Sequence, residues 1–126
     1  MIYLVYGTLR KGQRANGIIN TGDNFIGAGR ITENARLANL GGFPAICPNL
    51  VGDHQPVVEA YQVESADMVQ ALDRYEGFPR LYSKKRMKCV INEQELEGVV
   101  YVMEDPNDTV RQPEVPDGDW LEVANA

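Results

Sequence analysis

The sequence predicts a small α+β domain built around one sheet that is largely closed or strongly bent. The chain has 126 residues, the size of one ordinary domain, so we treat residues 1–126 as a single domain. Segments with the apolar, β-branched pattern of strands outnumber segments with helical spacing. They also lack the regular strand and helix alternation of a doubly wound parallel sheet.

The predicted strands are short and are separated by turns rich in glycine. The first is the apolar run from Ile2 to Tyr6, which stops at Gly7. The later strands are 25–31, 35–40, 45–47, 57–63, 82–91 and 97–103, with a polar turn over 92–95. Apolar spacing over 15–19 predicts a short helix before Gly22. The tail from residue 104 is expected to wrap the surface, anchored by Trp120.

A longer helix is predicted to begin after Ser65. Serine is a typical N-cap, and Met68 and Leu72 follow at the spacing of one helical face. Gly77 is placed to end the helix in a left-handed conformation. The helix therefore spans the residues between Ser65 and Gly77.

Composition and charge exclude several classes of partner. Twelve basic against eighteen acidic residues leave a formal charge of -6, so we expect neither nucleic acid nor an anionic membrane as partner. Cys47 and Cys89 are too few for a disulfide scaffold and are typical of small buried apolar residues. Without a basic leader or a long apolar run, the sequence predicts a cytoplasmic protein with free thiols. It leaves monomer and weak dimer open.

Histidine content bears on metal and triad chemistry. His54 is the only histidine and lies in a polar segment, so we expect it in a solvated loop. A Ser/His/Asp triad or a histidine metal cluster would have to use this residue. The sequence therefore predicts no metal site.

The glycine-bounded turn over 7–12 is the first candidate binding segment. A turn that follows a strand exposes consecutive backbone amides, which bind carboxylate or phosphate groups. Gly7 allows a ligand to approach the backbone closely. The segment lacks the order of a phosphate-binding loop, and an ordinary turn without a ligand remains the alternative.

Glu76 is the second candidate, because it breaks two local preferences. It continues the apolar face that carries Leu72, and it lies at a helix C-terminus, where the dipole disfavours negative charge by roughly 0.3–1 kcal/mol. Partial burial would raise its pKa towards the range that is useful for proton transfer. The alternative is an exposed or ion-paired glutamate, with Arg74, Arg80 or Lys84 as its partner.

Five segments in order cover nearly the whole chain and form a recognisable series. They are VYGTLR at 5–10 with Gly12 and Asn16, GFPA at 42–45, LDRYEGFPRLY at 72–82, VVYV at 99–102 and GDW at 118–120. The series resembles the γ-glutamylcyclotransferase-like proteins. The first and third segments carry most of this resemblance.

The resemblance implies a fold and a binding mode. The fold is a mixed sheet curled into a barrel-like domain with few short helices, in which the first loop and a glutamate face one pocket. The backbone amides of Gly7, Thr8 and Leu9 are then expected to hold the α-carboxylate of a γ-glutamyl group, with Tyr6 lining the pocket. The partner is a small γ-glutamyl molecule.

The resemblance also implies a reaction and the residues that carry it. The α-amine of the substrate attacks its own γ-carbonyl, which yields 5-oxoproline and releases an amine or amino acid. Glu76 takes the role of general acid/base. Tyr82 becomes a further pocket residue and a candidate to support the developing oxyanion. No cofactor is implied.

Two other functions remain open at this point. One is a non-enzymatic module that binds a carboxylate in the same pocket, and the other is a purely structural interaction domain. An intact Glu76 favours the enzyme, because a carboxylate beside a bound acid is repulsive in a poorly solvated site. An interaction domain should expose an apolar patch.

Overall fold

The computed structural model describes residues 1–104 and 111–125. The strands in this part are β1 Ile2–Val5, β2 Phe25–Ile31, β3 Ala35–Asn39, β4 Pro44–Pro48, β5 Val57–Gln62, β6 Ser83–Ile91 and β7 Gln94–Val102. The α-helices are α1 Ala66–Glu76 and α2 Leu121–Ala124, and single 3₁₀ turns cover Asn16–Ile18 and Pro116–Gly118. Of the helices among these residues, none has the length and apolarity needed to cross a membrane.

The seven strands form one mixed sheet in the order β1-β5-β2-β6-β7-β4-β3. A parallel pairing of β1 with β7, at Tyr3 and Val99, closes β1, β5, β2, β6 and β7 into a barrel. β4 continues the sheet parallel to β7, and β3 pairs antiparallel with β4. The predicted α+β fold, a mixed sheet curled into a barrel with few short helices, is therefore confirmed.

Alternating side chains of the barrel strands form two cores. One face of each strand fills the barrel, with Leu4 and Val100 among its buried residues and Trp120 of the C-terminal segment beside them. The other face of β1, β5 and β7 packs against α1 through Leu72. Trp120 is the predicted anchor of the tail, although residues 105–110 of that tail lie outside the described residues. Both cysteines are buried and free, as predicted.

Three local predictions differ from the structure. The helix expected over 15–19 is one 3₁₀ turn, because Asn16 and Gly17 are poor helix formers. β4 is longer than predicted, since prolines are tolerated at its ends. The turn between β6 and β7 contains only Asn92 and Glu93, with φ of 52° and 67°. Positive φ at both positions is the signature of a tight hairpin turn, so β7 begins inside the predicted turn.

The predicted boundaries of α1 are confirmed by its caps. The side chain of Ser65 accepts a hydrogen bond from the Met68 amide at 3.3 Å. Gly77 adopts a left-handed conformation with φ of 71°, which a residue with a Cβ rarely adopts. The amide of Phe78 then donates to the Asp73 carbonyl at 2.9 Å. These contacts fix Glu76 as the last residue of the helix.

Candidate functional site

A cavity of about 230 Å³ lies between the loop that follows β1 and the C-terminal end of α1. The structure brings all of the predicted site residues to this one cavity. Its walls contain Tyr6, Gly7, Thr8, Leu9, Glu76 and Tyr82, together with Leu4, Val5, Arg14, Phe43, Pro44, Tyr75, Leu81 and Tyr101.

The loop presents three consecutive amides without partners. The carbonyl oxygens of Gly7, Thr8 and Leu9 accept hydrogen bonds from donors in residues 10–16, at 3.0, 3.0 and 2.8 Å. Within residues 1–104 and 111–125, no backbone or side-chain group accepts a hydrogen bond from the three amides. Backbone N–H groups that are buried in a protein and lack a hydrogen-bond acceptor are uncommon. The loop is therefore prepared to donate to an anion.

A buried ionic network supports the loop from behind. The Arg10 guanidinium donates to Glu59 Oε2 at 2.8 Å and to Asp119 Oδ1 at 2.6 Å. Glu59 Oε1 accepts hydrogen bonds from the Lys11 amide at 2.8 Å and from the Tyr61 hydroxyl at 3.2 Å. The network joins the loop to β5 and to the C-terminal segment, and it thereby fixes the loop's position.

Glu76 carries the only carboxylate among the cavity-lining residues of the described chain, and it is unpaired. No hydrogen bond or ion pair involves its side chain within the described residues. Lys84, one of the expected partners, lies instead 2.6 Å from Asp73 Oδ1. Burial raises the pKa of Glu76 from 4.5 to about 7.

The two predicted tyrosines, Tyr6 and Tyr82, line the cavity, and each hydroxyl already donates its proton to a backbone carbonyl. The Tyr6 hydroxyl donates to the Tyr101 carbonyl at 2.6 Å, and the Tyr82 hydroxyl donates to the Pro44 carbonyl at 2.7 Å. Burial raises the pKa of both hydroxyls. The expectation that Tyr82 supports an oxyanion does not fit this arrangement, because its proton is directed to a backbone carbonyl.

Several lining residues were missed by the sequence analysis. Tyr75 forms a 2.6 Å hydrogen bond with Thr8 Oγ1, which joins the end of α1 to the loop. Phe43 and Pro44 lie in the GFPA segment, whose pattern was a usable signal. Arg14 had no such signal, because its place in the cavity depends on how the loop folds back.

Among the described residues that line the cavity, the loop amides can bind an anion and the Glu76 carboxylate can transfer a proton. These residues contain no group of three or more His, Cys, Asp or Glu side chains that could hold a metal ion. His54 is exposed in a loop, as predicted. The ionisable and hydrogen-bonding groups of the cavity include the loop amides, the Glu76 carboxylate and the Arg14 guanidinium.

The fold and the cavity together define a small barrel protein with a cavity lined by backbone amides without partners and by one unpaired carboxylate. Over residues 3–122 the chain matches the family described as "Gamma-glutamyl cyclotransferase, AIG2-like", and it belongs to that family. No curated protein matches the chain.

Solved structures share the fold. A mouse AIG2-like protein is 24% identical with a TM-score of 0.74, over 90% of this chain and 84% of that protein. An uncharacterised protein of Pyrococcus horikoshii is 20% identical with a TM-score of 0.71, over 99% and 93%. A protein specific to uropathogenic E. coli is 19% identical with a TM-score of 0.72, over 98% and 94%.

Proposed function

We propose that this protein converts a γ-glutamyl amine or γ-glutamyl dipeptide into 5-oxoproline and releases the amine or amino acid. The observation that carries this proposal is an unpaired glutamate, Glu76, in the same cavity as three unpartnered amides. Membership of the γ-glutamyl cyclotransferase family supports the same class of reaction.

The loop amides supply binding and orientation. The N–H groups of Gly7, Thr8 and Leu9 donate to the α-carboxylate of the substrate, in hydrogen bonds strengthened by its charge. The substrate then folds within the cavity, so that its α-amine lies next to its γ-carbonyl. Holding reacting groups together in this way removes much of the entropic barrier to ring closure.

Glu76 supplies the proton transfers. Its carboxylate accepts a proton from the α-ammonium, and the freed amine attacks the γ-carbonyl carbon to close a five-membered lactam. The bond from that carbon to the leaving nitrogen breaks as Glu76 gives its proton to this nitrogen, and the second proton of the attacking nitrogen passes to the departing amine, which leaves as an ammonium. The residue returns to its starting state, and a pKa near 7 suits both transfers.

A non-enzymatic carboxylate-binding module is the competing function. Such a module gains nothing from a buried, unpaired Glu76, because its charge repels a bound acid. The desolvation of Glu76 is a cost that proton transfer accounts for and simple binding does not. The contrast favours the enzyme.

The test is incubation of the protein with a panel of γ-glutamyl amines and dipeptides, followed by an assay for 5-oxoproline. We expect turnover of at least one member, and unchanged turnover after extensive dialysis against EDTA. Tight binding without any 5-oxoproline would support the binding module instead. Loss of activity on dialysis, restored by a divalent ion, would contradict the metal-free mechanism.

A further inference from the structure

Arg14 is the one basic residue among those that line the cavity in the described chain. It lies in the segment that returns to the loop, where the Gln13 amide donates to the Arg10 carbonyl and the Ala15 amide donates to the Thr8 carbonyl, both at 3.0 Å. These bonds hold the backbone on both sides of Arg14 against the loop. The Arg14 backbone is therefore held at the cavity rim, and its exposed side chain lines the cavity from there.

The Arg14 side chain has no partner in the described residues. Neither a hydrogen bond nor an ion pair is formed by it there, although the chain has an excess of acidic residues. Arg10, four residues earlier, is bound by two carboxylates. The guanidinium of Arg14 thus remains available to a ligand.

Arg14 and Glu76 do not neutralise each other. No ion pair within 4.0 Å joins them, and the pKa of Glu76 is raised by burial alone. The cavity therefore has two separate features that favour an anion, namely the amides of the loop and the Arg14 guanidinium. A ligand with two carboxylates can use both.

We infer that Arg14 binds a carboxylate on the leaving group, so that γ-glutamyl amino acids are preferred over γ-glutamyl alkylamines. This inference rests on the proposed cyclotransferase function. The amides take the α-carboxylate of the γ-glutamyl half, and a leaving amino acid brings a second carboxylate that an alkylamine lacks. Guanidinium binds carboxylate with two parallel hydrogen bonds, which gives geometric selectivity.

The experiment compares two substrates that differ by one carboxylate, γ-glutamyl-alanine and γ-glutamyl-ethylamide. For Arg14→Gln we expect kcat/KM on γ-glutamyl-alanine to fall about tenfold, mainly through KM, because a charged hydrogen bond is lost. The value for γ-glutamyl-ethylamide should remain within about twofold, since that substrate offers no second carboxylate. Arg14→Lys should recover part of the loss. Arg80→Gln, which removes an exposed arginine outside the cavity lining, should change neither substrate.

The outcomes separate the inference from the proposed function. Equal losses on both substrates would show that Arg14 acts on the γ-glutamyl half or on the fold, and unchanged values on both would show that it contacts neither. Either result overturns the inference while leaving the cyclotransferase intact. Absence of turnover by the unmodified protein on both substrates and on the wider panel would overturn the proposed function, and the inference with it.

Discussion

Glu59 is buried and Glu76 is half-buried, both near the loop that follows β1, and they differ in what surrounds them. Glu59 accepts hydrogen bonds from the Arg10 guanidinium, the Lys11 amide and the Tyr61 hydroxyl. Glu76 has no such partner in the described residues. A fully partnered carboxylate stabilises the surrounding structure. Burial without a partner instead raises the pKa of a carboxyl group, so that it holds its proton more tightly.

The position of each residue in its element explains the difference. Glu59 lies opposite Val5 in the antiparallel β1 and β5 pair, so it sits beside the start of the loop and can bind its residues. Glu76 ends α1, where helix carbonyls rather than amides are exposed and cannot donate to a carboxylate. The fold thus gives Glu59 its hydrogen-bond partners, whereas Glu76 has none in the described residues and its negative charge is unfavourable where it stands.

The largest expected effect comes from Glu76→Gln. The amide keeps the size of the side chain but cannot exchange a proton, so turnover should fall by about 10²–10⁴. Ligand affinity should be kept or should rise, because the loop amides remain and the charge that repels a bound acid is removed. The measurement is 5-oxoproline formation alongside a binding titration.

The matched control for this variant is Glu95→Gln, which neutralises an exposed carboxylate on β7. It should leave turnover and affinity unchanged. Near-normal turnover by Glu76→Gln would refute the catalytic assignment.

Glu59→Gln should show the opposite pattern. Removing its charge leaves the buried Arg10 with only Asp119 as an anionic partner, which we expect to cost about 3 kcal/mol of unfolding free energy. Urea denaturation measures this loss, again with Glu95→Gln as control. If Glu59→Gln kept full stability while losing turnover, the contrast between the two glutamates would be wrong.

The position of Glu76 could be predicted from the sequence. The helix spacing placed Glu76 inward, and the caps at Ser65 and Gly77 fixed the end of α1, because these depend on local chemistry. The partners of Glu59 could not be predicted. They are distant in sequence from β5, and only the closed barrel and the C-terminal segment bring Arg10 and Asp119 to it.

Contacts between residues distant in sequence also limited what could be predicted of the cavity rim. The turn over 7–12 and the family resemblance pointed to the loop after β1, whose amides have no partners in the described residues. Arg14 and Tyr75 reach the cavity through a returning backbone and a cross-loop hydrogen bond, which have no local sequence pattern. The short helix expected over 15–19 was wrong because Asn16 and Gly17 are poor helix formers, and the Asn16 side chain donates to the Leu9 carbonyl instead.

Gly7→Val tests the loop side of the comparison. A Cβ at Gly7 would lie 2.9 Å from Pro44 Cγ, so the cavity wall must move. We expect ligand affinity to fall at least about tenfold, with an unfolding cost of about 1–3 kcal/mol from overpacking. Gly17→Val is the control, because a Cβ there meets nothing within 4 Å. Unchanged affinity in Gly7→Val would remove the loop from the binding site.

The smallest effect is the pH dependence that Glu76 gives to stability. Its pKa is about 7 in the folded protein and 4.5 ordinarily, so between these values the unfolded chain has lost a proton that the folded protein still holds. The stabilisation is fully present below pH 4.5 and is lost as pH rises through 7. Because the side chain is partly solvated, we expect the unfolding free energy to fall by about 1–2 kcal/mol from this group.

Glu76→Gln should remove the fall and exceed the unmodified protein in stability at pH values above about 8. The difference between the two denaturation curves, followed from acid to alkaline pH, cancels the other titrating groups. Curves that run parallel over that range would show that Glu76 titrates normally, and the contrast with Glu59 would then lose its electrostatic basis.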